Sequence, residues 1–152
     1  MAPHEDIEVP NLRCVFCIDI DIGPPEVVMN TPFGTRVIVP ILPTSTFKGG
    51  EGYEDFYGDI VHNTSDWLTM MDEKSFIIDL KYVMKTHDGS TFVVFINGRS
   101  NRDPDDPSKS DIEASASVQT GVEKYKWMNN RVFVGKGRKD GSKIRINYYE
   151  IS

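Results

Sequence analysis

Residues 77–99 read IIDLKYVMKTHDGSTFVVFINGR. Two β-rich runs flank Thr86-His87-Asp88-Gly89-Ser90, and the glycine decides how they pair. A type I turn at His87-Asp88, followed by Gly89 in the left-handed conformation, makes a three-residue hairpin loop. That loop pairs Thr86 with Ser90, Lys81 with Phe95 and Asp79 with Asn97, and sets Arg99 opposite Ile77. One face then collects Phe76, Ile78, Leu80, Tyr82 and Met84 with Phe92, Val94 and Ile96. The other collects Asp79, Lys81, Phe95, Asn97 and Arg99. A two-residue Asp88-Gly89 turn shifts the register by one and scrambles both sets. The clean separation favours the longer loop.

Strand patterns continue outward from this hairpin. Towards the N-terminus, Leu12, Cys14, Phe16, Ile18, Ile20 and Ile22 alternate with Arg13, Val15, Cys17, Asp19 and Asp21, a period of two. Cys14 and Cys17 form a C-x-x-C, but residues three apart in a strand point to opposite faces. No second cysteine pair completes a zinc site, so both read as buried or half-buried thiols. Gly23-Pro24-Pro25 breaks the chain, and TRVIVPIL (35–42) is a second run that Pro40 places at a strand end or edge. The glycines of TFKGGEGYEDFYGDIV (46–61) read as barrel corners, and DWLTMM (66–71) leads into the hairpin. SNRDPDDPSKSD (100–111) reads as a loop, and IEASASVQT (112–120), RVFVGKG (131–137) and KIRINYYEI (143–151) as strands. YKWMNN (125–130) is a helical turn or an irregular corner. About nine short strands with turn residues between them predict an all-β fold, and sequential strands with short turns favour a closed or nearly closed antiparallel barrel. Residues 1–11 read as a flexible tail and 12–152 as one barrel domain.

The chain has 152 residues and a formal charge of −6, with 39% hydrophobic residues. That length supports a single core without disulfides. The acidic balance excludes a nucleic-acid partner, which wants a basic stripe. No run approaches the ~18 apolar residues of a membrane span, and MAPHEDIEVP has no leader pattern, so a cytoplasmic protein is expected. Asn63-Thr64-Ser65 matches a glycosylation acceptor, which carries meaning only on export.

The polar hairpin face allows two readings. It is either the wet outside of the barrel or the lining of a lumen in which a carboxylate, an ammonium, an amide and a guanidinium converge. Ser115, Ser117 and Gln119 on the neighbouring strand are mostly small, which leaves room for a ligand if they point inward. On the lumen reading, Asp79 is the acid/base, with Arg99 or Asn97 as oxyanion partners. Lys81, Phe95, Ser117 and Gln119 then line the substrate, and Trp67 and Trp127 supply flat apolar walls.

Other chemistry finds little support. His4, His62 and His87 lack metal-ligand spacing, though His62 stands four before Asp66 as a conceivable base pair. GKGRKDG (135–141) joins two strands, which excludes a dinucleotide loop. There is no G-x-S-x-G elbow. Asp103, Asp105 and Asp106 lack the glutamate of a calcium loop. No metal and no cofactor are expected.

Taken in order, the strand ending in Gly23-Pro24-Pro25, VIVPI (37–41), the Phe47–Gly58 glycine-rich segment, Asp66-Trp67, Ile78–Tyr82, THDG (86–89), TG (120–121), YKWMNNRVFVGKG and a final YYEI resemble the domain-of-unknown-function 3237 family. The resemblance runs from about Leu12 to Ile151. It implies a small antiparallel barrel of the lipocalin or streptavidin kind, with roughly eight to ten strands. It also implies an association with small-molecule or secondary-metabolite pathways. Asp66, Trp67, Asp79, Tyr82, Trp127, Asn129 and Gly135 match family positions without assigned roles, and Asn129 joins the substrate-binding set on that basis. Gln119 and Phe95-Ile96-Asn97 depart from the acid and the basic strand that members tend to carry. Together these readings favour a cofactor-free barrel enzyme of lyase, isomerase or cyclase type. It would promote dehydration, isomerisation, cyclisation or coupling of a small hydrophobic, oxygenated aromatic or polyketide-like metabolite. The alternative is a non-catalytic small-molecule binding or carrier protein. A second copy of the chain, as a homodimer, is the other partner considered.

Overall fold

Period-two alternation gives strands along nearly the whole chain. The computed structural model describes residues 4–61 and 64–152, so the readings of His62 and Asn63 lie outside the described residues. The strands are β1 (Leu12–Asp21), β2 (Glu26–Thr31), β3 (Gly34–Pro40), β4 (Thr46–Gly49), β5 (Tyr57–Ile60) and β6 (Ser65–Met70). They continue with β7 (Ser75–Thr86), β8 (Thr91–Arg102), β9 (Lys109–Gln119), β10 (Phe133–Asp140) and β11 (Lys143–Ile151). A 3₁₀ helix spans Glu123–Asn130.

The turn residues close the hairpin as the sequence dictates. Gly89 adopts φ +90°, and its N–H donates to the Thr86 carbonyl at 2.9 Å. Lys81 lies opposite Phe95, Asp79 opposite Asn97 and Ile77 opposite Arg99. From β7 the sheet runs as a meander through β8, β9, β10 and β11. It returns through β1, β4 and β5 to β7, closing an eight-stranded antiparallel barrel. The return is not a meander. β5 pairs with β7 at Gly58–Ile60, while β6 pairs with the same edge only at Thr69 and Met70 and carries β3 and β2 outward.

Three sequence expectations are corrected. β2 follows the Gly23-Pro24-Pro25 break unannounced, because its residues are almost all exposed and show no inside–outside contrast. β8 and β9 run further than expected, with Arg102 pairing Ser110, so the loop shrinks to residues 103–108. A bulge after Cys14 sets it opposite Tyr149 and Cys17 opposite Asn147, so both thiols share one face. Burial pushes both thiols up, which keeps them protonated and poor nucleophiles.

The inside of the barrel takes the large apolar set: Phe16, Ile18, Ile78, Leu80, Met84, Phe92, Val94, Ile96 and Ile146 are all buried. Its two ends differ. At one end the 3₁₀ helix lays Tyr125 and Met128 over the barrel, and Phe56 packs against Phe16, Phe47, Phe92 and Tyr125 with centroids 5.0–6.1 Å apart. Each such ring, fully buried, contributes roughly 1.5–3 kcal/mol. Glu150, buried at this end, is held by Arg131 at 3.3 Å and Arg13 at 3.7 Å. The opposite end is where the strands finish in Gly23-Pro24-Pro25, the 103–108 loop and the Gly141-Ser142 turn, and it is open.

Candidate active site at the open end

Alternation sends the polar hairpin face outward, which corrects the lumen reading. Asp79, Lys81, Asn97 and Arg99 are exposed, and Phe95 is half-buried beneath Lys81, whose ammonium lies 5.9 Å from its ring centre. Ser115, Ser117 and Gln119 on β9 are exposed too. The physical reason is the closure itself: a barrel this narrow fills its interior with the bulkier apolar set, and the other parity must face water. Trp67 lies outside, 52% exposed. Trp127 packs on Tyr53 and Phe133 at the sealed end. Asn129 is exposed, and its side chain ties the Thr120 backbone N–H and carbonyl to the 3₁₀ helix. The structure therefore does not bring the hairpin set into the interior; Trp67, Asp79 and Lys81 meet outside it instead, around a surface hollow of about 270 Å³ with Thr64 and Ser65.

Other polar side chains do face inward. On β6, Asp66 shares the parity of Leu68 and is 8% exposed. Tyr82 shares the parity of Leu80 and Met84, and Tyr148 that of Ile144 and Ile146, so both phenols are inside. The Asp66 Oδ1 and the hydroxyls of Tyr82 and Tyr148 are buried with no hydrogen-bond partner among the described residues. A buried polar group left unpaired costs about 1–3 kcal/mol, so three in one cluster call for a functional reason. Burial pushes the Asp66 carboxyl up to about 7, the nearby Asp79 carboxylate adds to that, and the Asp79 backbone N–H opposes it. Burial raises both phenols well above their ordinary range, and Tyr148 also feels the charges of Tyr82 and Asp66. The three oxygens thus form one electrically connected group.

Tyr148 is placed by its surroundings. Its ring stacks on Phe16 at 5.0 Å, tying it to the aromatic end. Opposite it on β10 stands Gly135, where a Cβ would lie 2.6 Å from Tyr148 Cε1. Only glycine leaves room for the ring there.

A cavity of about 520 Å³ opens at this end, within the size range of small-molecule sites. Its wall is largely apolar, with Val37, Val39, Leu68, Phe76 and Pro24 among the lining residues. Ser100, Ser110, Arg102 and Lys139 add polar groups. An inner pocket of about 50 Å³ shares Ile22, Val39, Leu68, Ser100 and Lys139 with it and reaches Asp66. Asp66 therefore stands at the floor of an apolar funnel.

Sequence reasoning marked Asp66 as a family position and a conceivable partner of His62, marked Tyr82 as a family position on the apolar hairpin face, and passed over Tyr148, Arg102, Lys139 and Ser100. The available signal was a polar residue on an otherwise apolar parity. Asp66 stands in line with Leu68, and Lys139 in line with Phe133, Gly135 and Gly137.

Fold and site together define a small closed antiparallel β-barrel with a ligand-sized apolar hollow at one end and a buried carboxyl, Asp66, at its floor. The chain belongs to the DUF3237 family of proteins of unknown function, whose model matches residues 10–151. A UPF0311 protein of Bradyrhizobium diazoefficiens is 24% identical over 91% of this chain and 95% of its own length. The crystal structure of a β-barrel-like protein from Acinetobacter baumannii superposes with a TM-score of 0.83 at 22% identity, covering 98% of this chain and all of the other. A structure described as an enzyme from Penicillium herquei gives a TM-score of 0.71 at 17% identity, covering 99% of this chain and all of the other. Among the described residues, no helix is long and apolar enough to cross a membrane.

Proposed function

We propose that the hollow binds a small, largely apolar oxygenated molecule and that Asp66 moves a proton on it without a cofactor. The observation that carries this reading is the buried Asp66 carboxyl at the inner end of the funnel, whose Oδ1 has no hydrogen-bond partner among the described residues. A carboxyl near pH 7 is close to equally able to give and to accept a proton at neutrality, which is where general acid–base catalysis is most effective. Tyr82 and Tyr148 stay protonated, and Tyr148, which feels the Asp66 charge, offers an O–H that steadies the carboxylate while its proton is away. The wall around Asp66 is mostly apolar, so such bonds are strong there. Enolisation followed by dehydration, isomerisation or ring closure needs nothing more than these groups. An oxygenated aromatic or polyketide-like substrate, as in secondary metabolism, suits the apolar wall. The naming of the Penicillium herquei barrel as an enzyme supports catalysis on this fold, as analogy.

A substrate-independent proton-transfer probe tests the reading. 5-Nitrobenzisoxazole loses its C3 proton to a base while its N–O bond opens to a coloured cyanonitrophenolate. The native protein should accelerate this above buffer, with a rate that rises as pH passes through about 7 and disappears in Asp66→Asn. A rate equal to buffer, or one that survives Asp66→Asn, removes Asp66 as the base. Binding of apolar dyes in the hollow without any such turnover favours the carrier alternative.

A further inference from the structure

The mouth of the hollow carries an ordered row of side chains that the proton-transfer reading leaves unused. Cross-strand register sets Arg102 of β8 opposite Ser110 of β9, Ser110 opposite Lys139 of β10, and Lys139 opposite Ile144 of β11. Directly paired residues share a face, and this row has the inward parity of Phe92, Ile112 and Ile146. Two cations thus sit on one rung of the barrel wall, a serine between them, about 10 Å apart by strand spacing.

Three neighbouring cations at this end are matched to carboxylates: Arg138 to Asp111 at 3.9 Å, Lys143 to Asp21 at 2.7 Å and Lys109 to Asp106 at 4.0 Å. Arg102 and Lys139 form no ion pair among the described residues. Arg102 lies over the Phe76 ring at 4.8 Å and donates to the Glu73 carbonyl, and Lys139 reaches the Ser108 carbonyl at 3.5 Å. Burial and then repulsion by Arg102 pull the Lys139 ammonium down, with Asp140 opposing. Arg102 is exposed and Lys139 half-buried, so these two like charges at the mouth of one apolar cavity repel each other and favour an anion between them.

We infer that Arg102 and Lys139, with Ser110 between them, anchor the anionic head of an amphiphilic ligand whose apolar body lies in the hollow. The ligand class is a small molecule with one oxyanion group, such as a carboxylate, at one end and an apolar ring system at the other. The inner pocket touches both Lys139 and Asp66, so a head held at the rim directs the body towards the floor. This deepens the binding reading above and rests on it.

Two fluorescent probes with nearly the same apolar body separate the two claims. 8-Anilinonaphthalene-1-sulfonate carries an anion and N-phenyl-1-naphthylamine does not. The native protein should bind the sulfonate about tenfold more tightly, or better, as charge-assisted contacts provide. Arg102→Gln, Lys139→Gln and the double variant should bring the two affinities together by weakening the sulfonate alone. Arg138→Gln, the outward cation one residue away, should leave the preference intact. Equal affinities in the native protein, or a preference unmoved in the double variant, overturn the anion anchor while leaving the hollow as a binding site. Failure of both probes to bind overturns the anchor and the binding site together.

Discussion

The two ends of the barrel are built from the same alternation and put to opposite uses. At the sealed end the inward positions are Phe16, Phe92 and Phe133, joined by Phe56 and Tyr125, and packing is complete. At the open end the inward positions of the same strands become Ser100, Arg102, Ser110 and Lys139, and packing gives way to a cavity. The aromatic end supplies stability, and part of that stability offsets the unpaired oxygens of Asp66, Tyr82 and Tyr148. Function-bearing groups stand where the core is least satisfied, held in place by the end where it is most satisfied.

Changes at either end should therefore differ in sign as well as size. Truncating Phe56→Ala removes the ring at the centre of the aromatic cluster and should cost about 3–5 kcal/mol in denaturant unfolding. A loss below ~1 kcal/mol would show that the sealed end is not what holds the barrel. Asp66→Asn should act the other way. The carboxyl titrates near 7 when folded, against an ordinary value of 3.8, so the native state keeps a proton that the unfolded chain gives up. Native stability consequently falls as pH rises from about 4 to about 7 and is flat above. The variant escapes this cost and should be more stable than the native protein by roughly 2–4 kcal/mol at pH 8, with no gain near pH 4. Equal stabilities at pH 8 would contradict the burial of a titrating group.

Gly135→Ala joins the two ends, because the added methyl meets the Tyr148 ring. It should destabilise by about 1–3 kcal/mol and lower the benzisoxazole rate, since Tyr148 must move. Unchanged stability would mean that the ring is not confined by that glycine. The smallest effect belongs to the outer wall. Asn97→Ser together with Arg99→Gln should shift stability by no more than about 0.5 kcal/mol and leave proton transfer untouched. A large loss of rate there would return the site to the hairpin face.

The register of that hairpin is legible because, of the two loops Gly89 allows, only the three-residue one separates an apolar face from a polar one. Which parity is inside was harder to read. Asp79, Lys81, Asn97 and Arg99 make a conspicuous polar set, and the small Ser115 and Ser117 beside them looked like space for a ligand. The decisive fact is volume: Leu80, Tyr82, Met84, Phe92 and Ile96 need the interior, and an eight-stranded barrel has little more to offer. The proposed site is quiet in sequence, since each strand contributes only one or two polar residues to an apolar row. Asp66 is hidden next to the more noticeable Trp67, and Lys139 reads as part of a basic turn. Their convergence depends on cross-strand register, which alternation within single strands does not encode. β2 was missed for the related reason that exposure on both faces erases periodicity.

The account turns on Asp66 being a buried acid at the floor of the hollow. Carbon-13 NMR titration of its side-chain carboxyl, assigned by comparison with Asp66→Asn, measures this directly. A midpoint near pH 7 that moves when 8-anilinonaphthalene-1-sulfonate occupies the cavity is the predicted result. A midpoint near 4, indifferent to the dye, would contradict it.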